Sequence, residues 1–249
     1  MKLNKLIAIA TISLLSGGIS MAQKALNLED IVAGNVIQTK GIGSMTWLKD
    51  GERYSRLENN KQTGGTDIVA YRAKDNSREV IIPSSLLTDK STGKPIPARS
   101  ISWSADNEKV LIYNNTQRVW RYDTRGDYWV LNLKDGALRQ LGKGMPESSM
   151  MFAKFSPDGT RVAYVSNNNI YVEDIDSGKI TQLTKDGSDT IVNGTFDWVY
   201  EEEFSCRDGF RWSPDGKHIA YWQSDTKGTG VFDLSLIHIS EPTRQEAIS

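Results

Sequence analysis

Met45-Thr-Trp47-Leu-Lys-Asp50-Gly51, Ile101-Ser-Trp103-Ser-Ala-Asp106-Asn107, Ala153-Lys-Phe155-Ser-Pro-Asp158-Gly159 and Phe210-Arg-Trp212-Ser-Pro-Asp215-Gly216 are four versions of one unit. The aromatic residues at 47, 103, 155 and 212 stand 56, 52 and 57 residues apart, a period that suits a propeller blade. Each unit reads as an aromatic-bearing strand, a tight reversal and a second strand, such as Arg161-Val-Ala-Tyr-Val165 or His218-Ile-Ala-Tyr-Trp222. Proline presets the φ of the turn and glycine accepts a positive φ, so the chain reverses with little strain.

A second pair of strands follows the hairpin. It is clearest at Ile170 to Asp174, then Asp176-Ser-Gly178, then Lys179 to Leu183. Tyr128 to Leu133, Asp135-Gly136 and Ala137 to Leu141 repeat the pattern one unit earlier. Four strands per unit point to a propeller rather than a sandwich. The expected fold is all-β, a partial β-propeller of about four blades of four-stranded antiparallel sheet over residues 23–233. Helix is expected only at Leu28 to Ile31, as a turn at Pro83 to Leu87, and near Trp198.

The 249 residues carry 30 Lys and Arg against 31 Asp and Glu, a net charge of -1. No whole-molecule field draws such a chain to nucleic acid or to an anionic membrane. Lys2 and Lys5 precede an apolar run from Leu6 to Leu15, and Ser20-Met-Ala22 places small residues before Gln23. Residues 1–22 therefore read as a cleaved secretory signal, with a periplasmic or extracellular destination and no membrane anchor after cleavage. Cys206 is the single cysteine, which excludes an internal disulfide framework and reads as a buried small hydrophobe. No His, Cys or Asp spacing suggests a metal site, and nothing suggests an organic cofactor.

The segment Leu234-Ser-Leu-Ile-His-Ile-Ser-Glu-Pro-Thr-Arg244 matches the forward translation of a transposon-based sequencing adapter. Residues 234–249 are therefore set apart from the fold. The chain before them reads as a fragment of a longer protein, whose continuation is expected to cover the open strand edges of the arc.

Asp197-Trp-Val-Tyr-Glu201-Glu202-Glu203-Phe204 carries the chemistry. Asp197 suits a helix N-cap, so a short helix should lift the carboxylates off the blade. Phe196, Trp198, Tyr200 and Phe204 are expected to pin it. Three adjacent carboxylates repel one another, and a cationic ligand removes that repulsion. A primary ammonium brings three donors, which suits two carboxylates better than one, and charge-assisted bonds contribute about 1.5–3 kcal/mol each. On its own, an acidic run of this kind also reads as a solvated insertion.

The stretch Asp197 to Glu203 closely resembles the glutamate motif of the dipeptidyl peptidase IV family. That resemblance implies that Glu202 and Glu203 hold the free N-terminus of a peptide substrate, with Glu201 structural. The stretch Leu111 to Asn114 and on through Gln117-Arg-Val-Trp120-Arg121-Tyr122 is similar to the family segment whose arginine reaches a substrate backbone carbonyl. The resemblance gives that role to Arg121, which otherwise reads as an ordinary strand-edge arginine. Asp127 to Val130 and Tyr221 to Thr226 extend the likeness over most of Leu28 to Phe232.

The resemblance further implies an eight-bladed propeller followed by an α/β-hydrolase domain with a Ser-Asp-His triad, a homodimer of complete chains, and release of Xaa-Pro or Xaa-Ala dipeptides. The chain has no Gly-x-Ser-x-Gly elbow, and of its two histidines His238 lies in the set-apart tail and His218 is expected in a strand. The chain by itself is thus expected to hydrolyse nothing. Two rival readings are a relative that releases tripeptides and a non-enzymatic exported propeller that binds partners on its face.

Overall fold

A computed structural model describes residues 43–230, together with Leu28, Val32 and Gly41. The signal segment 1–22, the tail 234–249 and the helical piece expected at Leu28 to Ile31, apart from the helical Leu28 itself, lie outside the described residues.

Strands are numbered in chain order. The first blade is an antiparallel meander of β1 (Met45–Trp47), β2 (Arg53–Asn59), β3 (Thr66–Arg72) and β4 (Arg78–Ile82). The second holds β5 (Ser100–Trp103), β6 (Lys109–Arg118), β7 (Asp123–Asn132) and β8 (Ala137–Gln140), and the third β9 (Met150–Phe155), β10 (Arg161–Ser166), β11 (Asn169–Asp174) and β12 (Ile180–Gln182). A single pairing, Gly126 with Met150, joins the second and third sheets. The fourth blade is described only in part. Its described residues form one inner ladder only, β13 (Ile191–Asn193) and β14 (Phe210–Trp212) against β15 (Ile219–Tyr221) and β16 (Gln223–Asp225).

The four repeated units fold as the same reversal. Leu48, Ser104, Ser156 and Ser213 each donate their backbone N–H to the carbonyl five residues on, at 2.8–3.0 Å. Gly51, Gly159 and Gly216 take the left-handed position, and Asn107 stands in for them at φ 59°, as asparagine can. In the last three turns the serine hydroxyl donates to the aspartate two residues on and accepts the N–H of the residue entering the next strand. The turn's chemistry is thus local to the motif.

Alternation along the inner strands places one face of each against either neighbour. Val110 and Ile112 pack with Ile68 and Ile82 between the first and second blades. Leu111, from the same strand, packs with Val162 and Tyr164 between the second and third. Ala163 and Val165 meet Phe210 between the third and fourth. Each such aliphatic side chain contributes roughly 1.5–3 kcal/mol on burial, so face-to-face contact between blades holds the arc. The expected turn before Leu87 is a 3-10 turn, Ser84–Leu87, which buries Leu87 in the first of these layers. His218 is not in a strand: it lies exposed, one residue before β15.

Candidate functional site

The acidic motif lies between the hairpins of the third and fourth blades, where it interrupts a strand. β13 and β14 lie end to end against one partner segment, since Asn193 pairs with Gln223 and Phe210 with Tyr221. At the junction Gly194 donates to the Trp222 carbonyl and Trp222 donates to the Gly209 carbonyl, both at 2.9 Å. Residues 195–208 loop out between them. The neck is tight: Gly194 has φ 72°, and a Cβ on Gly209 would stand 2.9 Å from the Gly194 carbonyl carbon. Thr195 and Asp208 bridge across it.

Lys154 on β9 braces the neck from the third blade. Its Nζ lies 2.5 Å from Asp208 Oδ1 and 3.6 Å from the Phe210 ring centroid. Burial pushes this lysine down to about 8 despite the opposing pull of Asp208.

Within the insertion stands the expected helix, α1 (Trp198–Phe204). Asp197 caps it, its carboxylate accepting the Tyr200 N–H at 3.3 Å, and Ser205 closes it in the left-handed conformation as the Cys206 N–H returns to the Tyr200 carbonyl at 3.0 Å. Of the four aromatics expected to pin it, Phe196 alone is buried; it stacks on Tyr200 at 4.8 Å and touches Trp222 at 6.0 Å. Trp198, Tyr200 and Phe204 are exposed. Cys206 is half-buried rather than buried, and with Phe196, Phe210, Arg211, Tyr221 and Trp222 it lines a cavity of about 520 Å³.

Successive helical residues turn by about 100°, so the three carboxylates part company. Glu201 turns inward: its side chain is 1% exposed, Oε2 lies 3.4 Å from Arg207 Nε, and Oε1 accepts the Arg121 N–H at 3.2 Å. Glu202, 9% exposed, is ion-paired with Arg121 through Oε1 and Nε. Glu203 is exposed and makes no ion pair among the described residues. The mutual repulsion expected of the run is therefore already relieved for two of the three by the protein's own guanidinium groups.

Arg121 sits at the tip of the β6–β7 hairpin, not along a strand edge, and its side chain is 68% exposed. The tip of the second blade and the insertion of the fourth thereby meet through Arg121, Glu201 and Glu202, while Glu203, next on the helix, is exposed. Arg207 was missed. Its guanidinium lies 3.8 Å above the Trp120 ring and donates to the Phe196 carbonyl. Loss of solvent pushes it down to about 10, against the attraction of Glu201. A charge count over the motif signals it, because a folded run of three acids calls for nearby cations and Arg207 follows it closely.

The described residues thus form an all-β propeller arc whose inner strand opens to present a capped acidic helix to an arginine. The family model for the dipeptidyl peptidase IV (DPP IV) N-terminal region matches residues 104–247, and the chain belongs to that family. Similar curated proteins include the "Probable dipeptidyl-aminopeptidase B" of Chaetomium globosum, 34% identical over 138 residues, covering 55% of this chain and 15% of that protein. The protein of the same name from Pyrenophora teres f. teres is 28% identical over 227 residues, covering 88% of this chain and 25% of its own length. The crystal structure of Porphyromonas gingivalis dipeptidyl peptidase 4 superposes with a TM-score of 0.69 at 26% identity, over 81% of this chain and 28% of that one. The chain thus spans a quarter or less of the length of these two curated relatives.

Proposed function

We propose that this chain is the substrate-gating, amine-binding propeller portion of an exported serine-type dipeptidyl peptidase, and that Glu202 and Glu203 receive the free N-terminus of a peptide. The observation that carries the reading is the pairing of Arg121 with Glu202 beside the exposed Glu203, which has no ion pair among the described residues, on a helix capped at both ends. A substrate ammonium brings three donors and one positive charge; Glu203 supplies an acceptor with no competing cation among the described residues, and Glu202 offers its second oxygen. The exposed guanidinium of Arg121 then donates to a backbone carbonyl of the same peptide, in keeping with its planar fork. Family membership and the relatives' names support peptidase activity of the complete protein.

In this mechanism the propeller contributes position. Anchoring the amine fixes how far the peptide reaches toward a serine nucleophile in an α/β-hydrolase domain, so cleavage falls after the second residue, with proline or alanine there. The complete protein acts as a homodimer, and the chain without that domain hydrolyses nothing. Residues 1–22 direct export to the periplasm or beyond.

The test uses the complete gene product without residues 1–22, assayed on Gly-Pro and N-acetyl-Gly-Pro reporter substrates, wild type beside Glu202→Ala/Glu203→Ala. Cleavage of the free-amine substrate alone, lost in the double variant, supports the reading. Equal cleavage of both substrates removes the amine anchor, and cleavage of neither favours a binding module.

A further inference from the structure

Two pieces of chain far apart in sequence must meet for the site to exist: the β6–β7 tip carrying Arg121 and the insertion carrying Glu202 and Glu203. Neither is held by much burial of its own. Trp198, Val199 and Phe204 of α1 are exposed, as are Trp120 and Tyr122 of the tip. Three contacts join the two pieces: the Arg121–Glu202 ion pair, the Arg121 N–H on Glu201, and the stacking of Arg207 on Trp120. Arg207 lies flat against Trp120 of the tip, faces Glu201 of the helix, and donates to the Phe196 carbonyl at the base of the insertion. Glu201 in turn accepts the backbone N–H of Arg121. A planar cation suits this place, since one face covers an aromatic ring while the edge meets oxygens. An apolar residue here would leave Glu201 as a buried carboxylate without its cation, which is strongly destabilising.

We propose that Arg207 is a positioning residue that latches the second-blade tip to the fourth-blade helix, through Trp120 and Glu201, and so holds Arg121 and Glu202 in register. Arg207 touches no substrate atom in this scheme. The proposal rests on the amine-binding reading for its catalytic consequence, but the latch itself does not.

Two measurements on the complete gene product test it. The first is hydrogen–deuterium exchange in Arg207→Ala and Trp120→Ala. Faster exchange in residues 119–122 and 198–204 together, with the first-blade strands unchanged, is expected of both variants. Unchanged exchange at the tip, or faster exchange everywhere, overturns the latch. The second is kinetic, on the Gly-Pro reporter with active serines counted by an organophosphate reagent. Arg207→Ala should raise KM about tenfold with kcat and the serine count held, and should add less than about twofold in a Glu202→Gln background, because both changes act on one pocket. A full multiplicative loss in that background overturns the positioning role. If Glu202→Gln and Glu203→Gln leave amine selectivity intact while the exchange result stands, the amine reading fails and the latch survives.

Discussion

Arg121 and Glu202 form an ion pair of unequal partners, the guanidinium 68% exposed and the carboxylate 9% exposed. The exposed partner is free to engage a second group, while the shielded one depends on its cation. Removing the arginine leaves a nearly buried charge, whereas removing the acid leaves a solvated one. Arg121→Ala is therefore expected to raise KM for a free-amine dipeptide substrate about tenfold, and Arg121→Lys to recover only part, because a point charge lacks the planar fork. Initial-rate kinetics on the complete gene product check this, and an unaltered KM in Arg121→Ala would count against the site.

Asp197 holds the start of a helix of seven residues, too short to persist without its cap. Asp197→Ala should weaken α1 by about 1 kcal/mol, and Asp197→Asn, which keeps an acceptor oxygen, by much less. The check is amide exchange at Tyr200 and through Glu203. Equal protection in all three proteins would show that the cap does not hold the helix.

Gly209 and Gly228 make a matched pair of tests. A Cβ at Gly209 meets the Gly194 carbonyl carbon at 2.9 Å, while one at Gly228 meets nothing within 4 Å. Gly209→Ala should lower the thermal midpoint by several degrees, corresponding to about 1–3 kcal/mol of overpacking. Gly228→Ala should leave it in place. Comparable midpoints for the two variants would mean that the neck tolerates widening.

Lys154 predicts an unusual pH dependence. Its pKa is lowered to about 8 against an ordinary lysine near 10.4. Between about 8 and 10.4 the unfolded chain therefore binds more protons here than the folded one, and stability from this group rises with pH. The charged groups facing it are Asp208, which favours the charged form, and Arg211, which opposes it. Denaturant midpoints of wild type and Lys154→Met, measured from pH 7 to pH 10.4, should shift in favour of wild type as pH rises. A flat difference would place the lysine in solvent.

The legible part of this molecule is the part whose chemistry is local. The Asp-Gly reversals announce themselves because serine, aspartate and glycine satisfy the turn among themselves, and Asn107 is readable as the one replacement. Asp197 is readable as a cap for the same reason. The insertion's place inside a strand was not readable. β13 and β14 are three residues each, and their alignment is imposed by a partner segment that follows both. Charge balance points to Arg207 as a cation near the acidic run, but its partner Trp120 was hidden, since a stacking contact between different blades leaves no mark on spacing. The aromatics around the motif misled in one respect: only Phe196 anchors, because the short helix presents Trp198 and Phe204 away from the blade.

The ladder of the fourth blade treats Gly194 and Gly209 as consecutive residues. What hangs between them is a cassette in a socket, and the sheet keeps its register whatever the cassette contains. If the cassette binds the end of a peptide as proposed, that specificity can change by exchanging one excursion of chain while the scaffold's pairing stays as it is. The same independence means that contacts reaching in from neighbouring blades, rather than the strand that bears the cassette, decide how it is aimed.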